Sequence, residues 1–267
     1  MRCINCGREL PPDTIECPYC LKKDKQKTEN KHERRKIFFT LGICALVLAL
    51  IAAGLLLFMP RSTFQRELDK AGSSYSIAVL CEASPEEAGD EKYQLRLLDA
   101  VNDIEQRYNN QSCGYNQTVT ALRQLHGVQN PIVRDRAEEV WVNVERMRLY
   151  QLINHNRSEE GLPELVWEAN TAAAAESVAA EYSVSGLDYQ DNMERLIQSM
   201  IPDAQEVSFT SLLNTINAQD ALTQCRNYND ESGKHDLLEE IPYTQIGIGA
   251  SYNAEHGLWS FFILLQP

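Results

Sequence analysis

Apolar and polar positions along this chain follow three different patterns. From Ile37 to Met59, IFFTLGICALVLALIAAGLLLFM, the run is apolar throughout and carries no charge. About 20 helical residues cross the ~30 Å hydrocarbon core of a bilayer, so a transmembrane helix is predicted over 37–59. A cleaved signal peptide would carry a shorter apolar core of about 7–15 residues, nearer the N-terminus. From Phe64 to about Ile153 the pattern turns helical. Tyr93, Leu97, Val101, Ile104 and Tyr108 recur at the spacing of one helix face, and so do Val140, Trp141, Val144, Met147 and Leu152, with charges between. Ser84 and Pro85 fit an N-cap and a first helical position, while Gly127 and Pro131 mark a break before the next helix. Two to four helices packed as a small bundle are expected over 60–148, as a stalk.

Beyond residue 149 the pattern changes again. Ala172, Ala175 and Ala179 fall on one face of a helix, where small side chains let another element pack close to the backbone. Thr244 to Ser251 and Leu258 to Leu264 read as two β-strands around a turn containing Asn253 and Gly257, a hairpin signal.

Charge sets direction. Residues 1–36 hold ten Lys or Arg against six Asp or Glu, a net of +4, and 37–60 hold none. The whole chain is −13, so residues 61–267 carry −17. Basic flanks stay cytoplasmic, which puts the basic linker 22–36 inside and residues 61–267 outside the cell membrane. An acidic bulk of this size repels phosphates, so nucleic acid is excluded as a partner.

Cysteine spacing adds a metal. Cys3, Cys6, Cys17 and Cys20 form two C-x-x-C pairs, enough thiolates to close a tetrahedron around Zn²⁺. Residues 1–21 resemble the zinc-ribbon knuckles that open many prokaryotic membrane proteins, including Gly7 after the first pair and Pro18 inside the second. Four thiolates fill the metal's coordination, so the site is expected to be structural. Cys81, Cys113 and Cys225 are expected outside, where disulfides persist. Their pairing, Cys81 with Cys113 or three free thiols, is open.

Residues 149–267 resemble the CAP superfamily (cysteine-rich secretory proteins, antigen 5, pathogenesis-related 1) in its bacterial SCP-like form. The resemblance rests on Asn154 and Arg157, on Leu165 and Trp167, on Ala175 and Ala179, and on the closing YTQIGIG with its aromatic final strand. It implies an α+β fold, an α-β-α sandwich around a small antiparallel sheet. It also implies a cleft that in some members binds a divalent metal through two histidines and two acidic residues. Here only Glu206 and His235 stand near those positions, with Glu231 as a further carboxylate, and no histidine occurs between His155 and His235. Such a set is short of ligands for tight Zn²⁺ binding. His155 and His256 read as surface residues.

The chain therefore reads as a single-pass membrane protein that displays a degenerate CAP-like binding module outside, over a cytoplasmic zinc ribbon. Two other readings are a metal-dependent envelope hydrolase using Glu206 and His235, and a relay from ectodomain to knuckle through the span. No G-x-S-x-G, phosphate-binding glycine loop or H-E-x-x-H occurs.

Overall fold

The helical period after Phe64 resolves into α1 (Thr63–Lys70), α2 (Ser74–Ala83), α3 (Pro85–Ala88), a 3₁₀ turn at Glu91–Tyr93, α4 (Gln94–Asn109), α5 (Tyr115–His126) and α6 (Pro131–Glu159). The computed structural model describes residues 2–3, 6–9, 17, 20, 62–185, 190–201, 207–232 and 243–267. The predicted span 37–59 and the basic linker 22–36 lie outside them, and among the described residues no helix is long and apolar enough to cross a membrane. The chain divides into two units, Met1–Ser62 and Thr63–Pro267.

Local chemistry sets the helix ends. Ser73 caps α2 by accepting from Ser76 N (3.2 Å), and Asn130 caps α6 by accepting from Ile132 N and Val133 N (3.1 and 3.2 Å). Pro131 sits at the first position of α6, where its missing N–H costs nothing. The predicted faces point inward: Leu97, Val101 and Ile104 of α4, with Tyr93 just before it, and Val140, Trp141 and Val144 of α6 are all buried. Phe64 of α1 lies 4.9 Å from the Tyr93 ring. The helix α6 passes through residues 148 and 149 without a break, and one apolar core runs from Phe64 to Leu265.

The remaining elements are β1 (Val166–Trp167), α7 (Ala169–Ser185), α8 (Gln190–Met200), β2 (Ser208–Thr215), α9 (Ala218–Ser232), β3 (Gln245–Asn253) and β4 (Leu258–Gln266). The four strands form one sheet in the order β1-β3-β4-β2. The predicted hairpin is present: β3 and β4 pair antiparallel from Gln245↔Gln266 to Asn253↔Leu258. Asn253 Oδ1 accepts from Glu255 N and His256 N in its turn, which Gly257 completes at φ +66°. The sheet is not purely antiparallel as expected, because β1 runs parallel to β3. Asn154 on α6 grips Leu165 by both backbone groups, donating to its carbonyl (2.9 Å) and accepting from its N–H (2.8 Å). That clamp sets the direction of the two residues that follow, and Val166 N then donates to Thr244 O.

Alternation along the strands builds two different faces. Trp259, Phe261, Ile263, Leu265, Ile246 and Ile248 join the large core with α6 and α9. Phe262 and Leu264 join Ala174, Ala175, Val178 and Ala179 of α7, and Ile197 of α8, in a smaller one. A Cβ added to Gly247 or Gly249 would fall on the backbone of Thr171 or Ala175, so β3 approaches α7 closer than any side chain permits. The small-residue face read from Ala172, Ala175 and Ala179 has its partner in these two glycines. Helices thus cover both faces of the sheet.

Candidate functional sites

In the N-terminal unit, C-x-x-C turns bring four thiols together. Gly7, at φ +72°, donates to Cys3 O (2.9 Å), Cys3 N donates to Arg8 O (2.9 Å), and Cys20 N donates to Cys17 O (3.1 Å). Cys3 Sγ lies 3.9 Å from Cys20 Sγ and Cys6 Sγ 3.6 Å from Cys17 Sγ, and all four sulfurs fall within 4.8 Å of one another. A tetrahedron with metal–sulfur bonds of about 2.3 Å has edges of about 3.8 Å, so these residues fit a four-coordinate divalent ion. Hydrogen bonding to Cys6 leads the causes that push the Cys20 thiol up to about 12, with Cys17 and Cys3 adding to it. Sulfurs this close resist ionising together unless a cation balances them.

In the second unit, the residues that carried the CAP resemblance are structural. Asn154 holds Leu165, Arg157 is fully buried with Nε donating to Pro163 O (2.9 Å), and Tyr150 OH donates to Leu165 O (3.0 Å). Together they staple the 160–165 connection onto α6. Trp167 packs edge-on against Tyr150 with centroids 5.4 Å apart. His155 and His256 are exposed as expected, His155 pairing with Glu159 (3.4 Å). Glu206 and His235 lie outside the described residues. Cys81 is buried, Cys113 Sγ lies 3.1 Å from Thr118 Oγ1, and no disulfide joins Cys81 to Cys113.

Two charged neighbours on α6 went unnoticed in the sequence. Glu145 is buried and accepts from Tyr115 OH (2.7 Å), Ala218 N (2.9 Å) and Trp141 Nε1 (3.4 Å). Its carboxyl thereby caps α9 from inside the core. Burial pushes its pKa up, and these hydrogen bonds oppose the rise. Arg146 is buried on the other side, where Nε donates to Ile248 O (2.7 Å), Nη1 donates to Asn143 Oδ1 (3.2 Å), and Glu176 forms an ion pair with it. Burial lowers the guanidinium pKa, and Glu176 counters it. A cavity of about 610 Å³ opens beside this pair, rimmed by Asp135, Glu138 and Glu139.

A second cleft, of about 630 Å³, lies where α7 ends over the β3–β4 hairpin. Leu212 pairs with Phe261 and Thr215 with Trp259, so two residues of β2, Leu213 and Asn214, stand opposite Ser260 alone. This bulge holds Asn214 in the left-handed region at φ +58°. Ser260 and its cross-strand partner Ser251 both line the cleft, as do Asn214, Asn253 and Tyr182. The sequence signal was the two serines that interrupt otherwise apolar strands, in ASYN and LWSFF.

No family model and no curated protein matches the chain. Among solved structures it is similar to an extracellular protein containing an SCP domain from Bacillus anthracis. The identity is 17%, with 49% of this chain and 43% of that one covered and a TM-score of 0.38. It is also similar to a cysteine-rich secretory protein from Staphylococcus aureus, at 14% identity over 46% of this chain and 39% of that one, with a TM-score of 0.37. The chain spans under half the length of each. The sheet between two helical layers, closed by a hairpin with glycines against the alanine helix, is the sandwich the sequence implied. The long helix α6 belongs both to the upstream bundle and to the sheet-bearing part of the chain, and Glu145 links the two through Tyr115 and Ala218.

Proposed function

We propose that this chain is a single-pass membrane protein that displays its CAP-like domain on the outer face of the cell as a binding module. Four cysteines hold a structural Zn²⁺ on the cytoplasmic side. The display rests on the uncharged run 37–59 and the basic segment before it, and the ion on the fit of the four sulfurs to a tetrahedral site. The observation that carries a binding role is how the described side chains are used. Asn154, Arg157, Glu145 and Arg146 are committed to holding the scaffold, whereas the cleft under α7 presents polar groups to a space large enough for a ligand.

Topology and metal are tested together. A membrane-impermeant amine reagent applied to intact cells should label the exposed Lys70 and Lys92 and spare Lys22 and Lys36; the reverse labelling overturns the orientation. Purified full-length protein should contain one zinc per chain, lost in Cys17→Ser/Cys20→Ser. A second metal equivalent that disappears in His235→Ala would replace the binding module with the metal-dependent hydrolase.

A further inference from the structure

We infer that the open edge of β3, where it meets the cavity beside Arg146, is a docking groove for an extended peptide segment carrying Lys or Arg side chains. The groove is separate from the cleft under α7 and goes beyond the binding-module reading above. Backbone phase locates it. Val166 N donates to Thr244 O (2.8 Å), Glu168 N to Ile246 O (3.0 Å) and Arg146 Nε to Ile248 O (2.7 Å), so even-numbered residues here aim their carbonyls away from β4. The register with β4 continues unbroken to Asn253↔Leu258, and alternation turns the N–H and C=O of Ala250 and Tyr252 to that same side. Strand β1 stops at Trp167 and Arg146 takes only Ile248. Among the described residues, these four groups therefore have no partner on the open side.

An edge with unpaired backbone groups accepts another strand where there is room beside it. The cavity of about 610 Å³ supplies the room, since Ala250 forms part of its wall and α6 and α7 contribute the rest. Charge selects the occupant. Counted over the described residues, Asp135, Glu138 and Glu139 of α6 and Glu176 of α7 line this cavity against the guanidinium of Arg146. Each carboxylate already has a partner, in Arg134, His126, Arg136 and Arg146 respectively, yet every one of the four side chains is at least 37% exposed. Exposed pairs of this kind contribute about 0–1 kcal/mol, so an incoming ammonium or guanidinium can share these carboxylates at little cost. Val142 adds an apolar surface to the same wall, which suits a segment that alternates basic and apolar residues. A second copy of this chain, strongly acidic over 61–267, meets like charge here.

The test is a calorimetric titration of full-length protein in detergent with acetyl-Lys-Val-Lys-Val-Lys-amide. The same titration is run with the glutamate analogue, acetyl-Glu-Val-Glu-Val-Glu-amide, and with the lysine peptide N-methylated throughout. Binding of the lysine peptide is expected below about 1 mM, with none for the other two. Ala250→Pro removes one N–H on the open side, where proline is tolerated, and should weaken binding about three- to tenfold. Asp135→Asn/Glu139→Gln should weaken it about as much and flatten its salt dependence. If Ala250→Pro melts lower than wild type, the N-methylated peptide on wild-type protein decides the question without it. Equal binding of the lysine peptide and its N-methylated form overturns the groove, because charge alone would then suffice. So does equal binding of the lysine and glutamate peptides, or no heat from the lysine peptide up to about 1 mM. Self-association of the full-length protein that Ala250→Pro abolishes would give the edge to a second copy and overturn the basic segment as its occupant. A chain that takes no peptide but labels as expected on intact cells loses this groove alone and keeps the display reading.

Discussion

The two faces of the sheet are covered by opposite means. Toward α6 and α9 the strands present Trp259, Phe261, Ile263 and Ile248, large side chains whose burial contributes about 1.5–3 kcal/mol each. Toward α7 the strand β3 presents Gly247 and Gly249, and the helix answers with Ala175 and Ala179. One face is held by area removed from water, the other by close fit of backbone to backbone. The same fold is therefore sensitive to lost volume on one side and to added volume on the other.

That contrast can be broken by substitution. Trp259→Ala should cost the most, about 3–5 kcal/mol in chemical denaturation, since it empties the centre of the ring cluster with Trp141 and Tyr252. Gly249→Ala should follow at about 3 kcal/mol, because its methyl carbon would meet the Ala175 carbonyl rather than a side chain that can turn away. If Gly249→Ala is instead tolerated within about 0.5 kcal/mol, α7 does not sit on backbone and the contrast fails. Next comes Glu145→Leu, expected to lose about 1–3 kcal/mol by leaving Ala218 N and Tyr115 OH without acceptors. Ile248→Val, which removes one carbon from the large-residue face, should cost only about 1 kcal/mol, less than one carbon added on the other.

The smallest expected effect is on pH dependence. The folded state raises the Glu145 pKa, so its contribution to stability is greatest below the ordinary carboxylate pKa and is lost as pH rises through the folded value. Glu145→Gln keeps an acceptor for Ala218 N without the charge. Its stability relative to wild type should therefore be higher at pH 7 than at pH 4, measured by urea unfolding at both. A gap that widens on acidification would show that the carboxylate is stabilised in the fold.

What was legible in the sequence was local. The spacing of Ala172, Ala175 and Ala179 and the hairpin around Asn253 and Gly257 depend on neighbours within a few residues, and both appear where expected. The faces of α4 and α6 were readable for the same reason. Glu145 and Arg146, by contrast, look like solvated charges between apolar positions. Their partners stand 30, 73 and 102 residues away, at Tyr115, Ala218 and Ile248, and no periodicity carries such information. The parallel pairing of β1 was hidden likewise, since two residues give no alternation to read and Asn154 fixes their direction from another element. For the sites, the four cysteines were plain from spacing alone. The polar cleft showed only as two serines whose meaning depends on a bulge in a strand some fifty residues earlier.

Arg146 has one more consequence. Strand β1 pairs with β3 only at Gln245 and Ile246, so beyond that point β3 is an edge. An uncovered edge offers its carbonyls as a template for another chain. By donating to Ile248 O, Arg146 occupies the first of them, and its ion pair with Glu176 sets charges beside the rung where a second copy would start to zip. This guanidinium is therefore a guard against sheet-to-sheet aggregation.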